Sequence, residues 1–514
     1  MSKKESRTYK SLKNIRVDIF FFLIGILLSF FSRKIFIEYL GSEVVGLNST
    51  IASLIGFLSV AELGISWIIS YSLYKPMRDN DSKTISEIIS IQAYFYRKIG
   101  YFILACSIIL ALFFPIIFAK ANVVKYYPYL TLAVMLFSSL IGYFFNYRSI
   151  LFFVDQKNYK LTYIFEGILR LKVLAQIILL FYIRSNAYVY WLLIEFLSSI
   201  IMAVLLHFEV EKEYSTIKID LTTAKGLITK YKEIFNKIKQ VFVHKISSVI
   251  VTHLSPLIVY SFFNLTLVTI YTNYVIITGI LNRFMEMVSN SIYSSIGNLT
   301  TENDIKKEKI IFYKYLSIRF FISSILIWGF STFVNPFISL WFGKQYILND
   351  SSVYLFSAVL FVSLTRGVVD SFLSIKGLFH DIWAPITEAS INLSLSFLLG
   401  YFFGINGILI GTLISFILIV VLWKPFFLAT ETKIIKLSEY FFSYFFYILL
   451  LISSSYLYQC FHYSQVYIES TLFNFIIDVA IQTIQYISLL FILYLLFDKH
   501  FRILLKHIFA YVRR

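Results

Sequence analysis

The segment VDIFFFLIGILLSFFSRKIFIE, residues 17–38, is long and apolar enough to cross a lipid bilayer as a single helix. Six lysines and arginines lie among the sixteen residues before it. The apolar run exceeds the length of a signal peptide and no small-residue cleavage site follows it, so it indicates a membrane helix with a basic flank. Similar apolar segments recur at roughly 44–72, 88–118, 126–154, 161–184, 187–209, 241–264, 266–296, 312–338, 351–374, 383–403, 405–428, 439–460 and 471–497.

The composition of the chain is that of a membrane protein. Of its 514 residues, 58% are hydrophobic and only 15% are charged, whereas a soluble protein has about 25% charged residues. The mean hydropathy is +0.76. The two cysteines lie far apart and the seven histidines show no metal-site spacing. The sequence therefore predicts an all-α polytopic membrane protein with about fourteen transmembrane helices and no cofactor.

The distribution of basic residues predicts the orientation of the helices. With the amino terminus in the cytoplasm, 36 of the 46 lysines and arginines fall in cytoplasmic segments and six in external ones. This bias is a strong positive-inside signal, and an even number of helices places both termini in the cytoplasm. The net charge of +17 therefore indicates a surface that faces anionic membrane lipids rather than nucleic acid.

Weak internal repeats relate the two halves of the chain at a shift of about 223 residues. The triplet Asp79-Asn80-Asp81 matches Glu302-Asn303-Asp304, and Glu166 falls close to Glu388. Two pseudo-symmetric six-helix bundles that enter from one side are a transporter architecture, with the substrate path expected between the halves. The predicted organisation is an amino-terminal bundle, a basic amphipathic cytoplasmic linker, a carboxy-terminal bundle, two appended helices and a basic cytoplasmic tail, at 1–209, 210–240, 241–430, 431–497 and 498–514.

Several short motifs in both halves resemble those of a known transporter family. They are Arg33, Leu40-Gly41, Gly46-Leu47, Glu62-Leu63-Gly64-Ile65, Ser72-Leu73-Tyr74-Lys75-Pro76, Asn80-Asp81, Lys376-Gly377-Leu378-Phe379, Asn392-Leu393-Ser394 and Gly404-Ile405-Asn406-Gly407-Ile408. In these motifs and in its fourteen-helix layout, the chain resembles the Wzx-type polysaccharide flippases. These belong to the multidrug/oligosaccharidyl-lipid/polysaccharide exporter (MOP) superfamily.

The resemblance implies a function in the bacterial cytoplasmic membrane. It implies a non-enzymatic flippase that moves undecaprenyl-diphosphate-linked oligosaccharide from the inner to the outer leaflet, by alternating access between two bundles. This step precedes polymerisation into capsule or O-antigen. The partners implied are the lipid-linked oligosaccharide, membrane lipids and the polysaccharide polymerase machinery. The sequence has no ATP-binding loop, which leaves coupling to H⁺ or Na⁺ open.

Ionisable residues inside the predicted membrane helices require a partner or a function, because each costs about 2.5–3.5 kcal/mol on insertion scales. Four pairs have the spacing of neighbours on one helix face: Lys34 and Glu38, Glu166 and Arg170, Arg283 and Glu286, and Arg366 and Asp370. Each is either a local ion pair or part of a substrate site. Glu62, Glu195 and Asp478 lack such a neighbour. For Glu62 we expect Arg33 or Arg283 as the partner.

Two predicted helices carry polar stripes. In the helix at 266–296, polar side chains fall within an arc of roughly 140°, which indicates a wet cavity. In the helix at 44–72, Glu62 shares an arc of roughly 80° with small polar residues that also suit helix packing: Asn48, Ser59, Ser66 and Ser70.

A lipid diphosphate requires cations, and arginine binds it with two parallel hydrogen bonds. Its polyprenyl chain requires an apolar groove, which the two appended helices, almost free of charge, are expected to line. The candidate substrate-binding residues are Arg283, Arg33, Glu62, Glu286, Asn282, Asn290, Arg366 and Asp370.

Two other functions fit parts of the sequence. A multidrug exporter of the same superfamily is expected to have twelve helices and an acidic cavity, whereas this chain has two further helices and intramembrane arginines. A membrane polysaccharide polymerase or ligase is expected to have a long external loop with catalytic groups, which the sequence lacks. The flippase is therefore the first hypothesis and the exporter the second.

Overall fold

The fold is helical throughout the part of the chain that has been described. The computed structural model describes residues 7–62, 65–231, 253–300, 304–378, 380–461 and 471–512. The regular structure in these ranges consists of helices. The chain divides into two compact units, residues 1–269 and 270–514.

The first unit is a bundle of helices joined by short connections. Its helices are α1 (Arg7–Leu40), α2 (Ser42–Leu58), α3 (Ile65–Asp79), α4 (Ser82–Leu112), α5 (Phe114–Ile117), α6 (Tyr127–Phe144), α7 (Ile150–Val154), α8 (Asn158–Tyr182), α9 (Ala187–Tyr214), α10 (Leu221–Lys230) and α11 (Ser255–Phe262). A 3-10 turn at Ser59–Glu62 lies between α2 and α3, and another at Asn146–Ser149 lies between α6 and α7. These turns divide two of the predicted spans into shorter helices.

The second unit has longer helices and continues to the end of the described chain. Its helices are α12 (Leu265–Thr300, which begins in the first unit), α13 (Ile305–Phe342), α14 (Asp350–Thr365), α15 (Gly367–Ile375), α16 (Trp383–Phe403), α17 (Ile405–Ser415), α18 (Lys424–Thr432), α19 (Leu437–Phe461), α20 (Leu472–Phe497) and α21 (Lys499–Val512). A 3-10 turn at Lys344–Tyr346 precedes α14, and a π-helical segment at Phe416–Trp423 joins α17 to α18.

Eleven helices in the described ranges are long and apolar enough to cross a membrane. The remaining three predicted spans differ for separate reasons. The span at 44–72 is interrupted by a 3-10 turn, and α8 carries Glu166, Arg170 and Lys172 within its length. The span at 241–264 lies mostly outside the described residues. The predicted all-α polytopic membrane protein is confirmed.

The two units repeat the same order of helix packing. In the first unit α4 packs against α6, α6 against α9, and α8 against α9. In the second unit α13 packs against α14, α14 against α17, and α16 against α17. The repeated aspartates have one role: Asp81 accepts a hydrogen bond from the Thr84 amide (3.1 Å), and Asp304 from the Lys306 amide (3.0 Å). Both cap the long helix that follows, which explains why this triplet recurs in the sequence.

The motif that begins at Gly404 forms the tight connection between α16 and α17. Gly404 has a φ of +63°, in the left-handed region that favours glycine. A Cβ atom at Gly407 would overlap the backbone at Leu399, so the two helices approach at backbone distance. Asn406 accepts a hydrogen bond from Ser352 of α14 (2.6 Å). This motif therefore has a structural role.

The appended helices α19 and α20 pack against α13 through aromatic rings. Trp328 of α13 is parallel to Tyr486 of α20, with 4.1 Å between the ring centroids. Phe320 of α13 stacks on Tyr447 of α19 at 4.9 Å. Apolar side chains elsewhere on the two helices are exposed: Phe442, Phe445, Leu449, Ile452, Phe473 and Ile484. One face of each helix thus belongs to the unit, and the other is suited to contact with lipid tails.

The linker helix α10 is held against α4. The Lys230 ammonium and the Tyr231 hydroxyl both donate to Glu87 of α4, at 2.5 and 2.7 Å. The amide of Asp220 donates to Ser90 (3.0 Å). The hydrogen bond with Glu87 raises the pKa of Lys230 above its usual value. The basic amphipathic linker predicted at 210–240 is therefore attached to α4 through α10 and the residues beside it.

Candidate substrate cavity

A carboxylate lies at the break in the second predicted span. Glu62 ends the 3-10 turn between α2 and α3. Its Oε1 accepts hydrogen bonds from the Tyr96 hydroxyl of α4 (2.6 Å) and from Ser66 of α3 (3.0 Å). The expectation that Arg33 pairs with Glu62 is wrong, since the partners of Glu62 among the described residues of this unit are hydroxyls. Arg33 donates instead to Ser49 of α2 (3.5 Å).

Glu62 lies on the wall of a cavity of about 880 Å³ within the first unit. Residues of α3, α4, α6, α8 and α9 line it, and eight of the lining residues are serines. Four of the five residues on the polar stripe of the second span are part of this wall: Ser59, Glu62, Ser66 and Ser70. The stripe therefore supplies polar groups to a cavity whose accessible wall is otherwise mostly apolar.

An ion pair forms another part of the cavity wall. Lys172 Nζ of α8 lies 2.7 Å from Glu195 Oε1 of α9. Gln176 Nε2 donates to the other carboxylate oxygen of Glu195 (3.2 Å). The side chains of Lys172 and Glu195 are 14% and 17% exposed, so the pair is largely removed from solvent. It supplies the partner that the sequence alone did not reveal for Glu195.

Two buried amide side chains on this wall have unpaired acceptors. Gln92 and Asn146 are 1% and 9% exposed, and both line the cavity. Neither Gln92 Oε1 nor Asn146 Oδ1 accepts a hydrogen bond from the described residues. Gln92 Nε2 donates to the backbone carbonyl of Tyr147 (3.3 Å), which fixes the orientation of the amide. Each unpaired acceptor costs about 1–3 kcal/mol.

Glu166 and Arg170 form the local ion pair that their spacing allows within α8. The Arg170 guanidinium also lies against α1, where it donates to the carbonyl of Phe21 (3.4 Å). A Cβ atom at Gly25 would overlap the guanidinium, so the glycine makes room for it. This pair connects α8 to α1.

Arg366 and Asp370 belong to a network of four charges in the second unit. Arg366 Nε lies 2.8 Å from Asp370 Oδ2, and Lys424 Nζ of α18 lies 2.6 Å from Asp370 Oδ1. Glu388 of α16, which is 3% exposed, lies 3.9 Å from the Arg366 guanidinium. Two positive and two negative charges neutralise one another here. The network joins α15, α16 and α18.

Arg319 of α13 is a buried cation that is not among the candidate residues predicted from the sequence. It is 5% exposed and donates to the Leu364 carbonyl (2.5 Å), the Tyr315 hydroxyl (3.0 Å) and Ser289 of α12. A Cβ atom at Gly367 would overlap its guanidinium. The sequence around Arg319 does not indicate that it is buried and hydrogen-bonded, because Leu364 and Ser289 are distant from it along the chain.

The residues on the polar stripe of α12 differ in their contacts. Asn282 Oδ1 accepts a hydrogen bond from Ser363 of α14 (2.8 Å), so this part of the stripe fastens two helices together. Arg283 and Glu286 are exposed. They form neither the local ion pair that their spacing allows nor any other hydrogen bond or ion pair with described residues. The side chain of Asn290 lies outside the described part of the chain.

A membrane bundle of two repeated halves is an architecture of secondary transporters. No protein-family model and no curated protein matches the chain. Among solved structures, lipid II flippase MurJ in an inward closed conformation matches with a TM-score of 0.65 and 17% sequence identity. The match covers 94% of this chain and 98% of that one.

Two multidrug resistance MATE family transporters of the MOP superfamily also match. The inward-facing one has a TM-score of 0.61 at 14% identity and covers 79% of this chain and 95% of its own. The outward-facing one has a TM-score of 0.58 at 13% identity and covers 84% and 98%. At these identities the likeness concerns the fold. The chain has the multi-pass fold of the MOP superfamily transporters.

Proposed function

We propose that this chain is a flippase that moves undecaprenyl-diphosphate-linked oligosaccharides from the inner to the outer leaflet of a bacterial cytoplasmic membrane. The observation that carries the proposal is the fold, which the lipid II flippase shares over 94% of this chain. The two multidrug transporters share it over 79% and 84%. The motifs that resemble Wzx-type flippases support the same function, with capsule or O-antigen as the product.

Arg283 supports a diphosphate as part of the substrate. It lies in α12 within a stretch, Leu265–Ser289, that is suited to cross the membrane. Its guanidinium is exposed and has no ion-pair partner among the described residues. A cation without a partner in a membrane helix is costly, and a diphosphate would supply the missing negative charge through paired hydrogen bonds. Arg283 is the proposed cation for this group.

The other candidate residues differ in the contacts that their side chains make within the protein. Arg366 and Asp370 are neutralised within their network, and Asn282 fastens α12 to α14. For these three a structural role accounts for the contacts. Glu286 is exposed near Arg283 in sequence and is proposed to line the substrate path with it.

Deletion of the gene tests the proposal in cells. We expect the deletion strain to accumulate lipid-linked repeat units on the inner leaflet and to lose surface polymer. Expression of the intact chain in that strain should remove the accumulation and restore the polymer. If the repeat units reach the surface but remain unjoined, the chain acts in polymerisation and the flippase proposal is wrong.

An ion-coupled multidrug exporter is the second candidate function. The MATE fold likeness and the carboxylate of Glu62 beside Tyr96 favour it, because a carboxylate and aromatic rings suit organic cations. Ethidium efflux from cells with and without the gene separates the two. Loss of efflux on deletion, with surface polymer intact, would favour the exporter.

A further inference from the structure

The cavity of the first unit has the size of a small-molecule site but not the charge of a phosphate site. Its volume of about 880 Å³ falls within the range of about 300–1,000 Å³ that is typical of ligand pockets. Its charged lining residues are Glu62, Lys172 and Glu195. Lys172 is already paired with Glu195, which leaves one net negative charge. An anionic group is therefore disfavoured in this cavity.

Three hydrogen-bond acceptors belong to residues that line the cavity. Gln92 Oε1 and Asn146 Oδ1 are unpaired among the described residues, and both side chains are at least nine-tenths buried. Glu62 is a third acceptor, held by two hydroxyls at one of its oxygens. The Gln92 and Asn146 oxygens have almost no accessible surface, so Glu62 is the acceptor that a ligand reaches. A carboxylate favours a ligand that brings hydrogen-bond donors.

The rest of the lining suits a polyhydroxylated ring. Eight serines supply hydroxyls that both donate and accept, and the aromatic rings of Tyr143, Phe153 and Phe165 supply apolar surface. A sugar ring has hydroxyl groups at its edge and C–H groups on its faces, so it matches both kinds of surface.

We infer that this cavity is a subsite for one sugar of the transported oligosaccharide, and that this sugar is neutral or carries an amino group rather than a carboxylate. The inference rests on the proposed function and adds the chemical class of the sugar. Glu62 would accept hydrogen bonds from sugar hydroxyls or from an ammonium group. The subsite lies within the first unit and is built from different residues than Arg283.

Binding of soluble probes to the full chain in lipid nanodiscs tests the charge preference. The probes are the methyl glycosides of N-acetylglucosamine, glucosamine and glucuronic acid, and binding is measured by saturation-transfer NMR. We expect the first two to bind and the acidic one to bind at least about tenfold more weakly. Glu62→Gln should reduce the discrimination against glucuronic acid, because it removes the unpaired charge. Equal binding of all three probes to the natural chain would overturn the inference.

Two glycine substitutions test the location of the bound sugar. A Cβ atom at Gly142 of α6 or Gly167 of α8 would meet no atom within 4 Å, so both helices have room for a larger side chain. Gly142 lines the cavity and Gly167 does not. We expect Gly142→Leu to weaken glycoside binding about tenfold or more, because the leucine side chain would occupy part of the cavity. Gly167→Leu should bind as the natural chain does.

Several outcomes would overturn the inference. One is unchanged binding in Gly142→Leu. Another is absence of glycoside binding to the natural chain. A third is binding of tetraphenylphosphonium in place of the glycosides with loss in Gly142→Leu, which would make the cavity a site for organic cations.

Transport of lipid-linked oligosaccharide, measured in parallel, separates the subsite from the proposed function. If the natural chain binds the glycosides but flips no lipid-linked oligosaccharide, the proposed function is wrong. If the natural chain flips the lipid and Gly142→Leu flips it equally fast, the subsite is wrong while the function stands. We expect the natural chain and Gly167→Leu to flip and Gly142→Leu to be slow.

Discussion

Lys172 and Glu195 place opposite charges on neighbouring helices of the first unit, at 2.7 Å. Lys172→Met would leave the Glu195 carboxylate largely buried without a cation, and we expect a loss of about 2–3 kcal/mol in the free energy of unfolding. Lys172→Met combined with Glu195→Gln should recover most of that loss, because the introduced amide is neutral and can still accept the hydrogen bond from Gln176. Denaturant titration in mixed micelles measures both variants. Equal stability of the natural chain and Lys172→Met would contradict the role of the pair.

Arg283 is predicted to act on the substrate and not through Glu286, because the two side chains are not paired. Arg283→Gln should abolish transport at an unchanged protein level. Arg283→Lys should keep part of the activity, since lysine retains the charge but loses the two parallel hydrogen bonds. Surface polymer in a deletion strain that expresses each variant is the readout. Arg502→Gln, which removes the same charge from an exposed arginine of the carboxy-terminal tail, is the control and should leave transport unchanged. Full transport by Arg283→Gln would remove Arg283 from the site.

Two ion pairs between neighbours on one helix face could be predicted from the sequence, whereas the pairs between helices could not. The spacing in the sequence indicates Glu166 with Arg170 and Arg366 with Asp370, and both pairs are present. The partner of Glu195 lies 23 residues away on another helix. Spacing alone also fails for Arg283 and Glu286, because residues on one helix face need not turn towards each other.

The contact between α16 and α17 depends on a glycine at the helix crossing. Gly407→Ala would place a methyl group against the backbone at Leu399, and we expect it to cost about 1–3 kcal/mol of stability, as overpacking does. Gly329→Ala in α13 is the matched control, because a Cβ atom there meets no atom within 4 Å. The denaturation midpoint of the two variants in detergent measures the difference. A Gly407→Ala chain as stable as Gly329→Ala would contradict the close approach.

Length and apolar content predicted most of the membrane-spanning helices. They did not predict the 3-10 turns that interrupt two of these spans. The 3-10 turn at Ser59–Glu62 divides an apolar run that reads as one span, and this turn carries Glu62 to the cavity wall. The polar stripe indicated which side of the run is wet. It could not identify Tyr96 as the partner of Glu62, because that contact depends on how α3 and α4 pack.

The orientation of the whole molecule is predicted from its basic residues. Single cysteines at Lys225 and Arg502, in a chain whose own two cysteines are replaced, should resist a membrane-impermeant thiol reagent added to intact cells. A cysteine at Lys344, in a predicted external segment, should react. Lys225, Lys344 and Arg502 are exposed, so accessibility depends on the side of the membrane. Reaction at Lys225 from outside would reverse the predicted topology.

Transfer of a lipid-linked oligosaccharide across a bilayer is the most direct test of the proposed function. The full chain is reconstituted into liposomes that contain undecaprenyl-diphosphate-linked oligosaccharide with a fluorophore on the sugar, and dithionite added outside quenches the outer leaflet. We predict that vesicles with the natural chain lose nearly all fluorescence over time, while vesicles with Arg283→Gln keep the protected inner half. If vesicles with the natural chain keep the same protected fraction of fluorescence as protein-free vesicles, the proposed function is contradicted.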